Sequence, residues 1–437
     1  MLDSVWTKDV SLPGFDSLEG DTKTDVLIIG GGMAGLLIAH RLTQAGVENL
    51  LIEADRICHG VTRNTTAKIT SQQGLIYDKL ARMFDDNTAK AYYQANQDAI
   101  AQFRQLAKEI PCDFIEQCAY VYTKETSKEF EKEMQTLQRL GIPFDDMKET
   151  QLPFPVDGAI RFRRQAQFHP LMFAGAIAKG LNIKENTRFL AFDGADVVTN
   201  RGKIHAKCIV MATHFPLINK HGNYFLKMYQ DRSYTVALEG AQRLDGMYRD
   251  ADTNGLSFRS FGDYLLLGGG SHRTGKKTAG WKPLENAAGQ YYPGAKVAAQ
   301  WATQDCISLD HLPYIGQYSK QTPKLFVATG FNKWGMTGSM VAATVLCDLL
   351  EGKPDPYENI FSPSRSILRK QLLVNGISAT KNLLTPTAPR CPHLGCALKW
   401  NPQEHSWDCP CHGSRFTKDG KLLDNPANGD LPHKPEA

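Results

Sequence analysis

The regular pattern of the chain begins with a short apolar run, Thr24–Gly30 (TDVLIIG), which ends in glycine and predicts a buried strand. MAGLLIAHRLTQAG continues at helical spacing and stops at Gly46, and Asn49–Ala54 (NLLIEA) predicts a second strand. Residues 87–110 (NTAKAYYQANQDAIAQFRQLAKEI) and 127–140 predict amphipathic helices. Residues 204–214 (IHAKCIVMATH) predict a strand and turn. Around 225–270 the pattern switches to apolar–polar alternation, as in SYTVALEG and DYLLLGGG, which predicts an antiparallel sheet. Residues 325–350 (LFVATGFNKWGMTGSMVAATVLCDLL) then predict a strand, a Gly-rich turn and a helix. A last helix-like stretch, 367–384, precedes a C-terminal segment dense in cysteine and histidine.

Length and charge narrow the possibilities. The 437 residues are enough for two to three domains, and the composition, 42% hydrophobic and 22% charged, is that of a globular protein. A net charge of +4 with scattered Lys and Arg argues against nucleic acid as the main partner. The N-terminus shows no basic stretch followed by an apolar one, and no apolar run reaches the roughly eighteen residues of a membrane helix. The expectation is a soluble, cytoplasmic protein. Of the ten cysteines, Cys58, Cys112, Cys118, Cys208, Cys306 and Cys347 are scattered and read as reduced thiols. The other four crowd into residues 391–411, a metal signal rather than a secretory disulfide framework.

Gly30, Gly32 and Gly35 form G-x-G-x-x-G between the first strand and its helix, and Glu53 ends the second strand. In that setting Gly30 permits the tight turn and Gly32 lets a pyrophosphate approach the backbone. Gly35 lets helix and strand pack closely, and Glu53 can accept from a ribose diol. A dinucleotide site follows. The 325–350 turn aims a second helix N-terminus at the reactive ring, which favours FAD over NAD. GSHRTGKK (270–277) nearly matches a P-loop, but Lys277 stands where Mg²⁺ needs Ser or Thr, so a hairpin end is the better reading.

The C-terminal segment divides into Cys391-Pro-His393 and Cys409-Pro-Cys411-His412. Each box offers one thiolate and one imidazole. That suits a [2Fe–2S] cluster with two cysteines on one iron and two histidines on the other. A zinc site, commonly spaced C-x₂₋₄-C with H-x₃₋₅-H, and a plain disulfide knot are the alternatives. His405 lies between the boxes and belongs to neither.

GGGMAG, HGVTRNTTA (59–67), ENTRF (185–189), VMATH (210–214), DHLPYIG (310–316) and ATGFNKWGMT (328–337) occur in an order that resembles the D-amino-acid oxidase, glycine oxidase and sarcosine oxidase family. The resemblance covers roughly residues 20 to 365. It implies FAD, with Gly60, Thr62 and Arg63 near the pyrophosphate and flavin, the backbone around Phe189 at the adenine, and Gly335, Met336 and Thr337 at the pyrimidine edge. With Gly30, Gly32, Met33, Ala34, Gly35, Glu53, Thr66, Thr213 and Gly330 these make the expected cofactor set. The family also implies a sheet over the flavin, with Arg232, Tyr234, Arg259, Tyr264, His272 and Lys333 as candidate pocket residues. His169, before Pro170 at a helix start, reads as structural. Two cations with which sarcosine-oxidase relatives hold the substrate carboxylate are replaced here by Thr66 and Thr337.

CPHLGC…CPCHGS likewise resembles the Rieske motif of high-potential type. That resemblance implies Cys391, His393, Cys409 and His412 as iron ligands, a Cys396–Cys411 disulfide, and Ser414 donating to a cluster sulfide. Phe416 replaces a tyrosine, which implies a somewhat lower potential. Only TPTAPR separates the last helix from Cys391, so most of the usual base sheet is missing and the module should lean on a neighbour.

The expected fold is α/β: a Rossmann-like FAD-binding domain with an inserted antiparallel-sheet substrate domain, plus a small all-β Rieske module. Residues 1–365 form the oxidoreductase, with FAD-binding parts at about 20–75, 150–215 and 305–365 and substrate parts at about 76–150 and 216–304. Residues 366–385 are a helical linker and 386–437 the cluster module. The expected activity is an FAD-dependent dehydrogenase of an amine or amino-acid-like substrate, passing single electrons through the cluster to an acceptor such as a ferredoxin. A reductase running backward from a ferredoxin-like donor, and a non-catalytic electron-transfer or redox-sensing protein, are the alternatives.

Overall fold

The computed structural model describes residues 3–366, 370–386 and 389–432. The first residues of the expected linker helix, 367–369, and the last of the cluster module, 433–437, lie outside them. Among the described residues the strands form three sheets.

The first sheet has eight strands. Thr22–Ile29 lies at its centre and pairs in parallel with Lys203–Met211 on one side and Asn49–Ile52 on the other. Leu325–Thr329 continues the parallel run, and Tyr314–Gln317 closes that edge antiparallel. The central strands are nearly all apolar because helices cover the sheet. Helices Met33–Gln44 and Gly335–Leu350 supply one layer; Leu36, Leu37, Val341 and Leu346 are buried in the same core as Ile28 and Val210.

The second sheet has nine strands: eight run from Lys296–Ser308 through Met228–Glu239, Tyr264–Arg273, Ser257–Phe261, Met247–Asp250, Ile115–Thr123 and Gly158–Gln167 to Lys68–Ile69, and Asp145–Met147 pairs with Gly158–Gln167 beside that path. It is antiparallel except where Met247–Asp250 runs parallel to Ile115–Thr123. Lys68–Ile69 and Gly158–Gln167 fall within intervals expected to build the cofactor-binding part, yet they pair into this sheet. The chain therefore crosses between the two sheets more often than a division into intervals suggests.

The GSHRTGKK stretch is the end of strand Tyr264–Arg273 and the turn after it, followed by helix Lys282–Tyr291. Gly275 explains its composition. It has φ of 77°, and a Cβ there would meet backbone and ring atoms of Pro410 at 2.8 Å. The turn is a seat for the second cluster box, not for a phosphate.

The third sheet is a four-stranded meander of short strands, Lys399–Asn401, Ser406–Asp408, Arg415–Thr417 and Leu422–Asp424. Its own core is little more than Leu398, Trp407, Phe416, Ala427, Leu431 and the four cysteines. Helix Lys370–Leu384 leads into it. A core of this size cannot stabilise a module alone, and hydrogen bonds from Gln230, Arg232 and Gln304 of the oxidoreductase supplement it.

Candidate functional site

A cavity of about 500 Å³ runs between the first two sheets. At one end the glycine turn sorts into distinct roles. A Cβ on Gly30, which has φ of 114°, would stand 2.5 Å from Ala212 O, and one on Gly35 would stand 1.9 Å from Gly30 O. These two glycines are demanded by protein packing. Gly32 is different: it lines the cavity, and a Cβ there would meet only Thr62 Oγ1 at 3.4 Å. Its missing side chain leaves space for a ligand at the N-terminus of helix Met33–Gln44. Thr62 Oγ1 accepts from Met33 N at 3.0 Å and so fixes the loop over that terminus. Glu53 accepts from Gly31 N at 2.7 Å and from Asp55 N at 3.0 Å. Burial pushes its pKa up, and these two N–H groups oppose the shift.

Of the expected cofactor residues, Gly30, Gly32, Met33, Ala34, Glu53, Gly60, Thr62, Thr66, Phe189, Thr213, Gly335 and Met336 line this cavity. Gly35, Arg63, Gly330 and Thr337 do not. Arg63 turns away to Asp3 at 3.9 Å. Thr337 accepts from Gln73 Nε2 at 3.1 Å inside the core. Gly330 faces Met228 Sδ, which a Cβ would meet at 3.2 Å.

The expected pocket residues separate more sharply. Lys333 and Tyr234 line the cavity, but Lys333 is paired with Asp231 at 2.7 Å. Arg232, Arg259, Tyr264 and His272 are not in its wall, which corrects their assignment. Arg232 is buried against Glu404 of the cluster module, with Nε to Oε1 at 2.6 Å, and Tyr234 OH donates to the same carboxylate at 3.1 Å. Arg259 donates to Thr66 O and to Phe168 O and stacks over Trp6 and Phe261. Tyr264 OH is at the surface with Lys8 Nζ at 2.8 Å. His272 stacks on Tyr234, with ring centroids 5.6 Å apart. His169 caps helix Pro170–Ala178 by accepting from Met172 N, the structural role expected of it.

Sequence reasoning missed Lys68, Arg249 and Asp305, all in the cavity wall. Burial, reinforced by Arg249 and Arg259, pushes the Lys68 amine down to about 7. Burial pushes Asp305 up to about 6, against the pull of Lys333. The available signal was a charged residue inside an otherwise apolar strand, as in MYRD or TAKIT. His214 ends the VMATH stretch. It also lines the cavity, and its Nε2 is buried without a partner.

The two cluster boxes fold alike. Gly395 N donates to Cys391 O and Gly413 N to Cys409 O, each at 2.9 Å; Cys391 N and Cys409 N donate across their loops to Cys396 O and Ser414 O. The His393 and His412 rings lie edge to face 4.9 Å apart. Burial lowers the pKa of both imidazoles, and both Nδ1 atoms are buried with no partner. The Cys409 thiol lies beside that of Cys391 and raises its pKa. Cys396 and Cys411 place their sulfurs within 4.8 Å of Cys409 and of each other, and all are free thiols in the structure. Ser414 lies against the Cys391 thiol and accepts from Ala427 N. His405 is exposed at a left-handed φ of 51°, apart from the boxes.

The histidine edge of the module faces the oxidoreductase. His393 Nε2 contacts Asn219 Oδ1 at 2.7 Å, and Phe215 packs on both rings. Gln230 Nε2 donates to His412 O at 2.8 Å and Asn425 O at 2.9 Å. Gln304 Nε2 donates to Gly413 O at 2.8 Å. Arg273 donates to Pro410 O and Cys411 O. Further along the module, Leu422–Asp424, Asn425, Ala427 and Asn428 form part of the cavity wall itself, and Asn428 Nδ2 donates to Phe189 O at 2.7 Å.

A glycine-loop sheet whose cavity is closed by a module of paired Cys/His boxes defines a two-centre redox protein. Residues 25–349 match the family model described as FAD dependent oxidoreductase, and residues 364–435 that of the Rieske [2Fe-2S] domain. The chain belongs to the FAD-dependent oxidoreductase family and carries a C-terminal Rieske domain. It is 36% identical to YhfW of Bacillus subtilis, named as a Rieske 2Fe-2S iron-sulfur protein, over 97% of this chain and 96% of that one. A short stretch, 8% of this chain, is 51% identical to 21% of the cytochrome b6-f complex iron-sulfur subunit 3 of Nostoc. In fold it is similar to glycine oxidase from Geobacillus kaustophilus (TM-score 0.67, 20% identity, 79% of this chain and 99% of that one). It is also similar to L-amino acid deaminase from Proteus vulgaris (TM-score 0.64, 19% identity, 82% and 97%).

FAD and a [2Fe–2S] cluster are its cofactors. The residues present fit both. The open space at Gly32 meets a helix N-terminus, which suits a pyrophosphate, and the orphaned imidazole nitrogens beside cysteine sulfurs suit mixed His/Cys ligation. No helix of the described residues is long and apolar enough to cross a membrane.

Proposed function

We propose that this is a cytoplasmic FAD-dependent dehydrogenase that oxidises the C–N bond of an amine or amino-acid-like substrate. Its electrons leave one at a time through the Rieske cluster to a carrier protein such as a ferredoxin. The observation that carries this reading is that the cluster module supplies part of the cavity wall, while its histidine edge packs on Phe215 and Asn219 of the oxidoreductase.

Bound FAD supplies two-electron hydride acceptance, and the cluster supplies one-electron exchange. The chain's own residues do the rest. Gly32, Thr62 and the N-terminus of Met33–Gln44 would hold the pyrophosphate, Glu53 would accept from the ribose, and the N-terminus of Gly335–Leu350 would stabilise negative charge on the ring. Cys391, His393, Cys409 and His412 would hold iron, and the thiols of Cys396 and Cys411, free in this structure but with sulfurs within 4.8 Å, would clamp the two loops once oxidised to a disulfide. Asp305, raised towards neutrality by burial, accepts a proton from the substrate amine. Gln230 and Gln304 fix the second box against the cavity wall, so electron transfer needs no swinging of the module. Structural neighbours named as an oxidase of glycine and a deaminase of L-amino acids support the substrate class.

The test is Cys409→Ser in the full chain. It should keep flavin bleaching by an amine substrate and lose reduction of a one-electron protein acceptor. Undiminished transfer to that acceptor would refute the reading. Truncation is the poorer experiment, because removing the module opens the cavity.

A further inference from the structure

The cavity is not walled by the oxidoreductase alone. Strand Leu422–Asp424 of the cluster module, with Asn425, Ala427 and Asn428 after it, lines the same space as the glycine turn. The anchors of this segment put it at the nucleotide end. Asn425 Nδ2 donates to Thr213 O and, at 3.0 Å, to Phe215 O. Thr213 belongs to the backbone on which the glycine turn rests, since a Cβ on Gly30 would meet Thr213 Cα at 3.2 Å. Asn428 Nδ2 donates to Phe189 O at 2.7 Å, and Phe189 stands in the wall with Thr187 and Arg188. Leu423 lines the cavity, is 43% exposed and takes no part in the core of its own module. An apolar side chain left open in a cavity wall is surface that a ligand can cover.

The same segment is tied to the second cluster box. Ala427 N donates to Ser414 Oγ at 2.9 Å. Gln230 Nε2 bridges Asn425 O at 2.9 Å and His412 O at 2.8 Å. Gln230 and Ser414 are almost fully buried, so these bonds are not exchanged for bonds to water. If the box loosens, buried donors lose their partners at a cost, so box and segment order together.

We propose that Leu422–Asn428 is an element shared by both cofactor sites: it closes the nucleotide end of the FAD site and buttresses the second cluster box, so that FAD and the cluster bind cooperatively. The inference rests on seating FAD in this cavity. Leu423 gives the dinucleotide an apolar cover, and Asn425 and Asn428 hold that cover to the walls at Thr213 and Phe189. Bound FAD orders the segment, the ordered segment holds the box, and by linkage each cofactor strengthens the binding of the other by the same factor. The FAD site is incomplete until the module has its cluster.

The experiment measures equilibrium binding of FAD to the full-length chain, from the fluorescence of free FAD on dilution. Iron analysis and electron paramagnetic resonance of the reduced protein report the cluster. Leu423→Ala should keep the cluster and weaken FAD by about 5-fold, the worth of covering part of a leucine. Asn428→Ala should weaken FAD by about 2- to 10-fold, the worth of one neutral hydrogen bond. His412 is outside the cavity wall, yet His412→Ala, lacking the cluster, should weaken FAD by about 5-fold or more. In the reverse direction, the wild-type chain should lose iron to a chelator more slowly with saturating FAD than after FAD is removed.

Normal FAD affinity in both Leu423→Ala and Asn428→Ala overturns the proposal. So does normal affinity in His412→Ala, or iron loss that ignores FAD. Loss of the cluster from Leu423→Ala also overturns it, since that side chain would then serve the fold of the module and not the dinucleotide. The reverse measurement uses the wild-type chain and so decides even where a variant fails to fold. Should Gly32→Val retain FAD, the seat of the flavin is wrong; should Gly32→Val lose FAD while the segment variants bind it normally, only the shared element falls.

Discussion

Glu404 is the residue on which attachment of the cluster module turns. Its carboxylate is almost fully buried and accepts from Arg232 of the oxidoreductase, from Arg415 Nη2 at 2.9 Å and from Tyr234 OH at 3.1 Å. Glu404→Gln removes the charge and keeps the shape. Arg415 retains Asp408 at 2.9 Å and Asp424 at 3.0 Å, but Arg232 is left with Asp424 at 3.9 Å. Breaking a buried pair costs about 3–5 kcal/mol, and the surviving aspartates put this case at the lower end, about 3 kcal/mol. The pKa leads to a similar figure. Burial raises it, but Arg415 and Arg232 prevail and bring it from 4.5 to about 2, which corresponds to about 3 kcal/mol.

A group with a depressed folded pKa stabilises above its unfolded value, so this contribution is whole above about pH 4.5 and is lost as pH falls to about 2. The assay is urea unfolding of the holoprotein, followed by cluster absorbance and far-UV circular dichroism. With m of about 1–3 kcal/mol/M, the transition that bleaches the cluster should move down by at least about 1 M at pH 7; in acid, where the cluster's sulfide is lost, far-UV circular dichroism alone should show the difference between wild type and variant shrinking as pH falls from about 4.5 towards 2. Removing an exposed pair such as Lys203–Asp193, screened by solvent, should leave the transition almost where it is. A Glu404→Gln shift no larger than that control would refute the buried lock.

Three further outcomes follow from the same geometry. Gly32→Val should give folded protein without yellow colour, because the side chain fills cavity space rather than protein, whereas Gly30→Ala should destabilise the fold through its 2.5 Å clash with Ala212 O; absorbance at the flavin band and thermal melting separate the two. His412→Ala should lose iron and acid-labile sulfide, and His405→Ala should lose neither. Gly413→Ala should loosen the second box, since Gly413 has φ of 89° and a Cβ there would meet Gln230 Cβ at 2.6 Å; an unchanged rate of iron loss to a chelator would contradict this.

Much of both centres was legible because their chemistry is local. The glycine turn is specified within a few residues by the steric demands at Gly30 and Gly35, and each cluster box carries its own thiolate and imidazole. What was not legible depends on contacts across the chain. Arg232 and Tyr234 stand in an alternating strand and look like pocket residues; only their meeting with Glu404, far along the sequence, shows that they hold the module. Gly275 mimicked a phosphate loop because close backbone approach requires glycine whether the visitor is a phosphate or Pro410. Lys68 and Arg249 were hidden because a charged residue in a short strand reads as solvated until the sheet closes over it. The short C-terminal module correctly signalled its need for support, since so small a core required a neighbour.

The central claim is that the two redox centres of one chain work in series. Its most direct measurement is anaerobic mixing of holoprotein with a panel of amino acids and amines, with no external acceptor, read by flavin absorbance and by electron paramagnetic resonance of freeze-quenched samples. With an effective substrate, loss of the flavin band should be followed by the signal of a reduced [2Fe–2S] cluster, at a first-order rate independent of protein concentration. A bleached flavin beside a cluster that stays oxidised, or cluster reduction that speeds up with protein concentration, would contradict the account.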